Sequence, residues 1–263
     1  MRLTTWNVNS VRLRLDLLPA LIEATGADVL CLQETKVVDD AFPRAAFAEH
    51  GFVHQVIAGH KNHHGVAILS RLPIAESGTR DWCGKSDRRH AWARLENGLE
   101  IHDFYVPAGG DIPDPEANEK FAHKLDFLRD MAAWFKAHKP RKAQLVLAGD
   151  LNVAPLETDV WSHKQLLDVV SHTPIEVELL GKVMGSYSFV DAVRHFISPE
   201  QRLYSWWSYR AVDWAASDRG RRLDHVWVAP ELKPRLKSAH VFKPARDWKP
   251  PSDHVPVTVE LEC

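Results

Sequence analysis

Short apolar runs ending in polar groups dominate this chain and predict strands more often than helices. Leu145-Val146-Leu147-Ala148 is wholly apolar, with the length and composition of a buried strand and too short for a helix. It ends in Gly149-Asp150-Leu151-Asn152. The glycine frees the backbone, and the Asp and Asn two positions apart would point to one side of an extended chain. Arg2 to Trp6 has the same character and ends in Asn7-Val8-Asn9-Ser10. Asp28 to Leu32 ends in Gln33-Glu34-Thr35-Lys36. Between these two runs Leu13, Leu17, Leu18 and Leu21 recur at helical spacing. Ser10 is placed to cap that helix, Pro19 predicts a kink or an early break, and Gly26 a stop.

The same reading places strands over Gly51 to Ile57 and Gly65 to Ser70, joined by a His60-Lys61-Asn62-His63-His64 loop. Strands from His90 to Leu95 and from Leu99 to Val106 flank Asn97-Gly98, a strong hairpin signal. Glu116 to His138 is the plainest helix, with Phe121, Leu125, Leu128, Ala132 and Phe135 on one face and Pro140 closing it. A helix is expected around Asp159 to Val170, and helix with loop over Thr173 to Arg194. Arg222 to Val228 and Val255 to Leu261 complete the strands. Strands interleaved with helices predict a layered α/β domain. With no low-complexity linker and no repeat of solenoid period, one domain over residues 1–263 is expected.

Composition alters this picture little. The chain has 45% hydrophobic and 26% charged residues, ordinary for a globular protein. A formal net charge of -2 argues against a general polyanion binder. The last stretch, Gln201 to Cys263, carries 11 basic against 8 acidic residues, which permits a phosphate-rich partner. Cys31, Cys83 and Cys263 are far apart and lack metal-type spacing, which fits a reducing cytoplasm. No apolar run approaches bilayer length and no secretory signal is visible, so no membrane partner is expected.

Taken singly, the candidate chemistry is bland. Gly149-Asp150-Leu151-Asn152 is best read as a turn, and Glu34 as a strand-end acid. Tyr105, before a Pro/Gly-rich loop, is equally a core aromatic or a phosphate-contacting hydroxyl. The histidine cluster reads as an exposed loop, and Lys85, Arg88 and Arg89 as solvated charges or phosphate contacts. Tyr204 to Tyr209, rich in Trp, is core or a base-stacking surface. Asp253-His254 is a turn, or an imidazole beside a carboxylate.

Their order changes the odds. Trp6-Asn7-Val8-Asn9, Gln33-Glu34-Thr35-Lys36, Tyr105-Val106-Pro107, Gly149-Asp150-Leu151-Asn152, Arg222-Leu223-Asp224 and Ser252-Asp253-His254 together resemble the exonuclease III family of apurinic/apyrimidinic endonucleases, within the endonuclease/exonuclease/phosphatase superfamily. The resemblance spans residue 2 to about 261. It implies a deoxyribonuclease I-like, four-layered α/β sandwich: two mixed β-sheets packed face to face and flanked by helices. It implies hydrolysis of DNA phosphodiesters with a divalent metal, usually Mg²⁺ with Mn²⁺ as alternative. The expected substrate is double-stranded DNA with abasic sites or 3′ ends, and the expected state a monomer.

Carried over by position, the resemblance makes Glu34 the principal metal ligand with Asn7 beside it. Asp150 activates the attacking water, helped by Asn152, and both border the metal. Tyr105 and His254 contact the scissile phosphate, His254 pairs with Asp224, and Asp253 and His254 are counted with the residues around the metal. Lys36 tunes the carboxylates. Trp206 and Leu223 match the pocket for a base-free sugar. Arg221 stands where the family usually has Trp, which would leave that wall more open or more polar. Asp103 stands where Asn is common, and Ala108 follows the Pro where some members have Asn. Two rivals remain: a phosphatase for lipids or small molecules on the same core, and a catalytically silent nucleic-acid-binding module. The Tyr105-Val106-Pro107, Trp206-Trp207 and Arg222-Leu223-Asp224 segments favour the DNA branch, and the filled catalytic positions weigh against a silent module.

Overall fold

The computed structural model describes residues 1–138, 143–211 and 213–262. Pro140, expected to close the long helix, and Cys263 lie outside them. Two six-stranded sheets carry the fold. One orders its strands Leu236–Val241, Val257–Leu261, Arg2–Asn7, Val29–Gln33, Val66–Ser70 and His54–Ala58. The other runs Ile74–Thr79, His90–Leu95, Glu100–Tyr105, Leu145–Asp150, Asp224–Val228 and Val190–Asp191. Each sheet is mixed: Arg2–Asn7 is parallel to Val29–Gln33, and Glu100–Tyr105 to Leu145–Asp150, while their other neighbours are antiparallel.

Alternation along each strand builds the layers. Val29, Cys31, Val66 and Ile68 meet Ile101, Val146, Ala148 and Val226 between the sheets. Their neighbours Leu30, Leu32 and Leu69 face the other way, onto Leu18 and Leu21 of the helix Leu18–Thr25. On the far side, Leu145, Leu147 and Trp227 cover the helices Glu119–His138 and Pro174–Ser186. Both faces of the central strands are therefore buried, which is why their sequences read as unbroken apolar runs. Each large side chain so buried contributes roughly 1.5–3 kcal/mol. The result is the expected helix, sheet, sheet, helix sandwich.

Local differences have local causes. Pro19 sits in the first turn of its helix and starts it instead of kinking it. The helix expected over Asp159 to Val170 is a single turn, His163–Leu166, preceded by a 3-10 turn at Glu157–Asp159, with Asp159 buried against Arg194 and Arg222. The sequence reading omitted Ile74–Thr79 and Leu236–Val241, which are edge strands with several exposed positions and so lack an apolar run. Gly149 is required: at φ 135° on Leu145–Asp150, any Cβ would collide with the carbonyl of its cross-strand partner Phe104. Among the described residues no helix is long and apolar enough to cross a membrane.

Candidate active site

Strand pairing brings the polar ends together. Asn7 lies beside Gln33, Tyr105 beside Asp150, and Asp150 beside Asp224. The chain then leaves the strands in an uncommon conformation: Asn9, Glu34, Lys36 and Asn152 all have positive φ, between 45° and 54°. Such backbone is costly for side chains with a Cβ and concentrates at functional sites. Asp150 and Asn152 therefore do not meet through extended alternation. Asn152 turns back, donating its backbone N–H to Asp150 Oδ1 (3.0 Å) and its amide to Asp150 Oδ2 (3.1 Å) and the Val106 carbonyl (2.9 Å).

Glu34 is the hub. Asn7 Nδ2 donates to Glu34 Oε1 and to Asp150 Oδ2, each at 2.9 Å, and the Tyr105 hydroxyl donates to Glu34 Oε1 at 2.9 Å. The Lys36 ammonium lies 2.8 Å from Glu34 Oε2 and donates to Asn9 Oδ1. Burial opposes ionisation of Glu34, yet Lys36 and Asn7 outweigh it and hold the carboxyl below its ordinary pKa. Burial, then the charges of Glu34 and Asp150, push the Tyr105 phenol well above its ordinary value, so it remains a donor. Arg89 is not an open phosphate contact. It pairs with Asp87 and lies 4.7 Å from the Tyr105 ring centre, steadying that ring.

A second cluster adjoins the first. His254 Nδ1 is 2.8 Å from Asp224 Oδ2, and Nε2 is 3.7 Å from Asp150 Oδ2. Ser205, which the sequence reading passed over, donates to Asp224 Oδ2 at 2.6 Å and accepts the backbone N–H groups of Leu223 and Asp224. Burial disfavours the imidazolium, but Asp224 and Asp150 prevail and push His254 up to about 10. Burial pushes Asp150 up to about 7; His254 opposes this, while Asp224 and Glu34 add to it. His254 is thus a buried cation with Asp224 behind it. Asp224→Asn removes the anion that sustains it, so the His254 pKa is expected to fall toward the ordinary histidine range. Titration of the His254 ring signals by NMR in metal-free protein reads this directly; an unmoved midpoint would assign the shift to Asp150 and Asp253.

Two donor sets could hold a cation. Asp150, Asp224 and His254 place one ligand atom each within 4.8 Å of one another. That set is already committed to the His254–Asp224 hydrogen bond, and an imidazolium repels a metal. Glu34 and Asp150 offer carboxylate oxygens to one space, which suits a hard divalent ion. Asn7 presents N–H groups to these acids, so it ties them together. Asp253 accepts from Asn9 at 3.0 Å and from the Trp206 indole at 2.9 Å, which leaves it on the rim of the same cavity.

That cavity measures about 530 Å³ and runs from Glu34, Tyr105 and His254 to Trp206, Arg221 and Leu223. Trp206 and Arg221 face each other across a two-residue ribbon, Trp206–Trp207 paired with Gly220–Arg221. The aromatic cluster divides: Tyr204 and Trp207 are buried, Tyr209 is exposed, and Trp206 borders the cavity. Arg221 does not leave the wall open. Its Nη1 donates to the Val170 carbonyl (2.8 Å) and Ser171 Oγ (2.7 Å), and its guanidinium lies 5.3 Å from the Trp206 ring centre. Asp103 lies away from the phosphate path, buried between the sheets and accepting from Gln33 Nε2 at 2.6 Å. The His60, His63 and His64 rings neighbour one another, but no histidine-rich metal group forms among the described residues.

Known proteins resemble this chain in sequence and fold over its whole length. The chain is 28% identical to an exodeoxyribonuclease III of Haemophilus influenzae, over 100% of both chains. A 3′ phosphatase from Neisseria, solved with a product DNA hairpin, superposes with a TM-score of 0.91 at 30% identity over 100% of both chains. An AP endonuclease from Archaeoglobus fulgidus gives the same TM-score of 0.91, identity of 30% and full coverage. The profile of the endonuclease/exonuclease/phosphatase family matches residues 4–254, ending on His254. With its sandwich fold and its Asn7, Glu34, Asp150 and Asp224–His254 arrangement, the chain belongs to the endonuclease/exonuclease/phosphatase family, in its exonuclease III branch.

Proposed function

We propose that this protein is a Mg²⁺-dependent DNA repair nuclease that cuts 5′ of abasic sites in duplex DNA and clears nucleotides and blocking groups from 3′ ends. It acts as one catalytic domain, a monomer working in the cytoplasm. The observation that carries this reading is the acid cluster opening into a cavity walled by Trp206, Arg221 and Leu223. An acid centre alone would serve any phosphate ester. A cavity of about 530 Å³ beside it has room for the sugar or nucleotide attached to the scissile phosphate.

Each residue then has a task. Glu34 and Asp150, with Asn152 and Asp253 beside them, would hold a divalent ion, which supplies charge neutralisation at the phosphate. Asp150 takes the proton of the attacking water, held in place by Asn7 and Asn152 and lying against His254. His254 Nε2–H would meet the phosphate oxygens as charge builds there, the Tyr105 hydroxyl and the Asn152 amide joining it only by exchanging their present acceptors, Glu34 for the first and Asp150 or Val106 for the second. Asp224 keeps His254 oriented and charged, and Lys36 keeps Glu34 ionised. The Trp206 face, stiffened by Arg221, packs on the extruded sugar or terminal base.

A panel of labelled duplexes tests the proposal: one with an abasic analogue, one recessed, one ending in a 3′-phosphate, each with Mg²⁺ or EDTA. Incision and 3′ trimming are expected with Mg²⁺, and none with EDTA. Release of phosphate only from lipid or small-molecule esters would instead place the chain with the phosphatases. Binding without turnover would make it a silent module.

A further inference from the structure

We propose that Lys124 and Glu176 form a buried positioning pair that sets the geometry of the hydrolytic loop and of the pocket wall together. The inference rests on the nuclease reading of Asp150 and Asn152. Lys124 lies on the helix Glu119–His138, among Phe121, Leu125 and Leu128, on the face turned to the sheet. Both partners of the Lys124–Glu176 ion pair are 0% exposed. A lysine on the core side of an amphipathic helix contradicts the helix's own pattern.

The three protons of its ammonium all find acceptors. One meets Glu176, one the Asn152 carbonyl at 2.7 Å, and one the Ala108 carbonyl at 3.2 Å. Glu176 in turn accepts the Ser171 N–H at 2.9 Å, the Thr173 N–H at 3.1 Å and the Thr173 hydroxyl at 2.7 Å. Ser171 Oγ then receives Arg221, which rests on Trp206. An unbroken set of contacts thus joins the water-activating loop to the substrate cavity.

The two ends of this pair hold the same kind of backbone. Asn152 has φ 54° and Ser171 φ 88°. Neither residue is glycine, so each conformation persists only where surrounding groups impose it. Lys124 fixes the carbonyl of the first and Glu176 the N–H of the second. Stability alone does not explain such a pair, because fully buried ion pairs are often matched or surpassed by apolar residues of the same volume. What the pair adds is direction: charge-assisted hydrogen bonds at fixed angles on two strained turns. Lys124 and Glu176 touch neither substrate nor metal, and act through Asn152 and Ser171.

The test compares Lys124→Met, Glu176→Gln and the double variant Lys124→Met/Glu176→Leu with wild type. Single-turnover rates, duplex affinity, thermal midpoints and the backbone amide NMR signals of residues 151–153 and 171–173 are measured. In Lys124→Met the rate is expected to fall by about 30-fold or more, with duplex affinity held within about threefold, since surface phosphate contacts dominate affinity. The double variant leaves no lone charge, so its midpoint is expected to rise above that of Lys124→Met while its rate stays low. Amide shifts are expected at both turns in every variant. A rate that recovers with the midpoint, or a Lys124→Met rate within about threefold of wild type, overturns the proposal. Unmoved amides at Asn152 and Ser171 overturn it too, even if the protein cuts no DNA. Wild-type protein inactive on every duplex, with the amide shifts present, would instead remove the nuclease reading and leave the positioning pair in place.

Discussion

Asp150→Asn is expected to lower single-turnover hydrolysis of an abasic duplex by about 10³-fold or more, with folding and duplex affinity retained. The substitution keeps the shape, and asparagine can still meet Asn7 and Asn152. It removes the carboxylate assigned to take the water's proton, and with it a charge that supports the His254 cation. It also removes a buried carboxylate whose ionised form burial disfavours, so the thermal midpoint should hold or rise. Loss of activity with unchanged or higher stability separates a chemical role from a structural one. Activity within tenfold of wild type would take Asp150 out of the scheme.

Glu34→Gln carries the second large effect. Glu34 joins Asn7, Tyr105 and Lys36, and it is the acid whose ionised form the surroundings favour. Its neutral amide would hold a divalent ion poorly and leave the half-buried Lys36 ammonium without its counter-charge. Charge neutralisation at the phosphate is worth several kcal/mol, so the rate is expected to drop by about 10³-fold. Unlike Asp150→Asn, it should also shift the Mg²⁺ dependence to higher concentration. Measuring rate against Mg²⁺ for the two variants side by side distinguishes the roles. The same half-saturating Mg²⁺ in Glu34→Gln as in wild type would show that the ion is held elsewhere.

The layers of this fold were legible because its central strands are buried on both faces and write long apolar runs. The hairpin at Asn97-Gly98 was legible from turn chemistry. Edge strands such as Ile74–Thr79 were not, since one wet face breaks the apolar run. At the site, Glu34 and Asp150 stood out because a strand ended in each case with an unusual polar group, and His254 because an Asp-His pair precedes the last strand. How Asp150 meets Asn152 was not legible, because it depends on a left-handed turn that periodicity does not encode. Ser205 and Lys124 owe their roles to partners far away in sequence, Asp224 and Glu176. The signal for Lys124 was nevertheless present, as a charge on the apolar face of the clearest helix. Arg221 was flagged by identity, but its closure against Val170, Ser171 and Trp206 needed the tertiary structure.

The central claim is that the Glu34, Asp150 and His254 cluster adds water to phosphorus. Its most direct test is to incubate an abasic duplex with Mg²⁺ in water enriched in the heavy oxygen isotope and to weigh both product ends. The account predicts a free 3′-hydroxyl on the upstream strand and one heavy oxygen in the phosphate of the downstream strand. An unsaturated aldehyde on the upstream 3′ end, with no heavy oxygen in the phosphate, would contradict it.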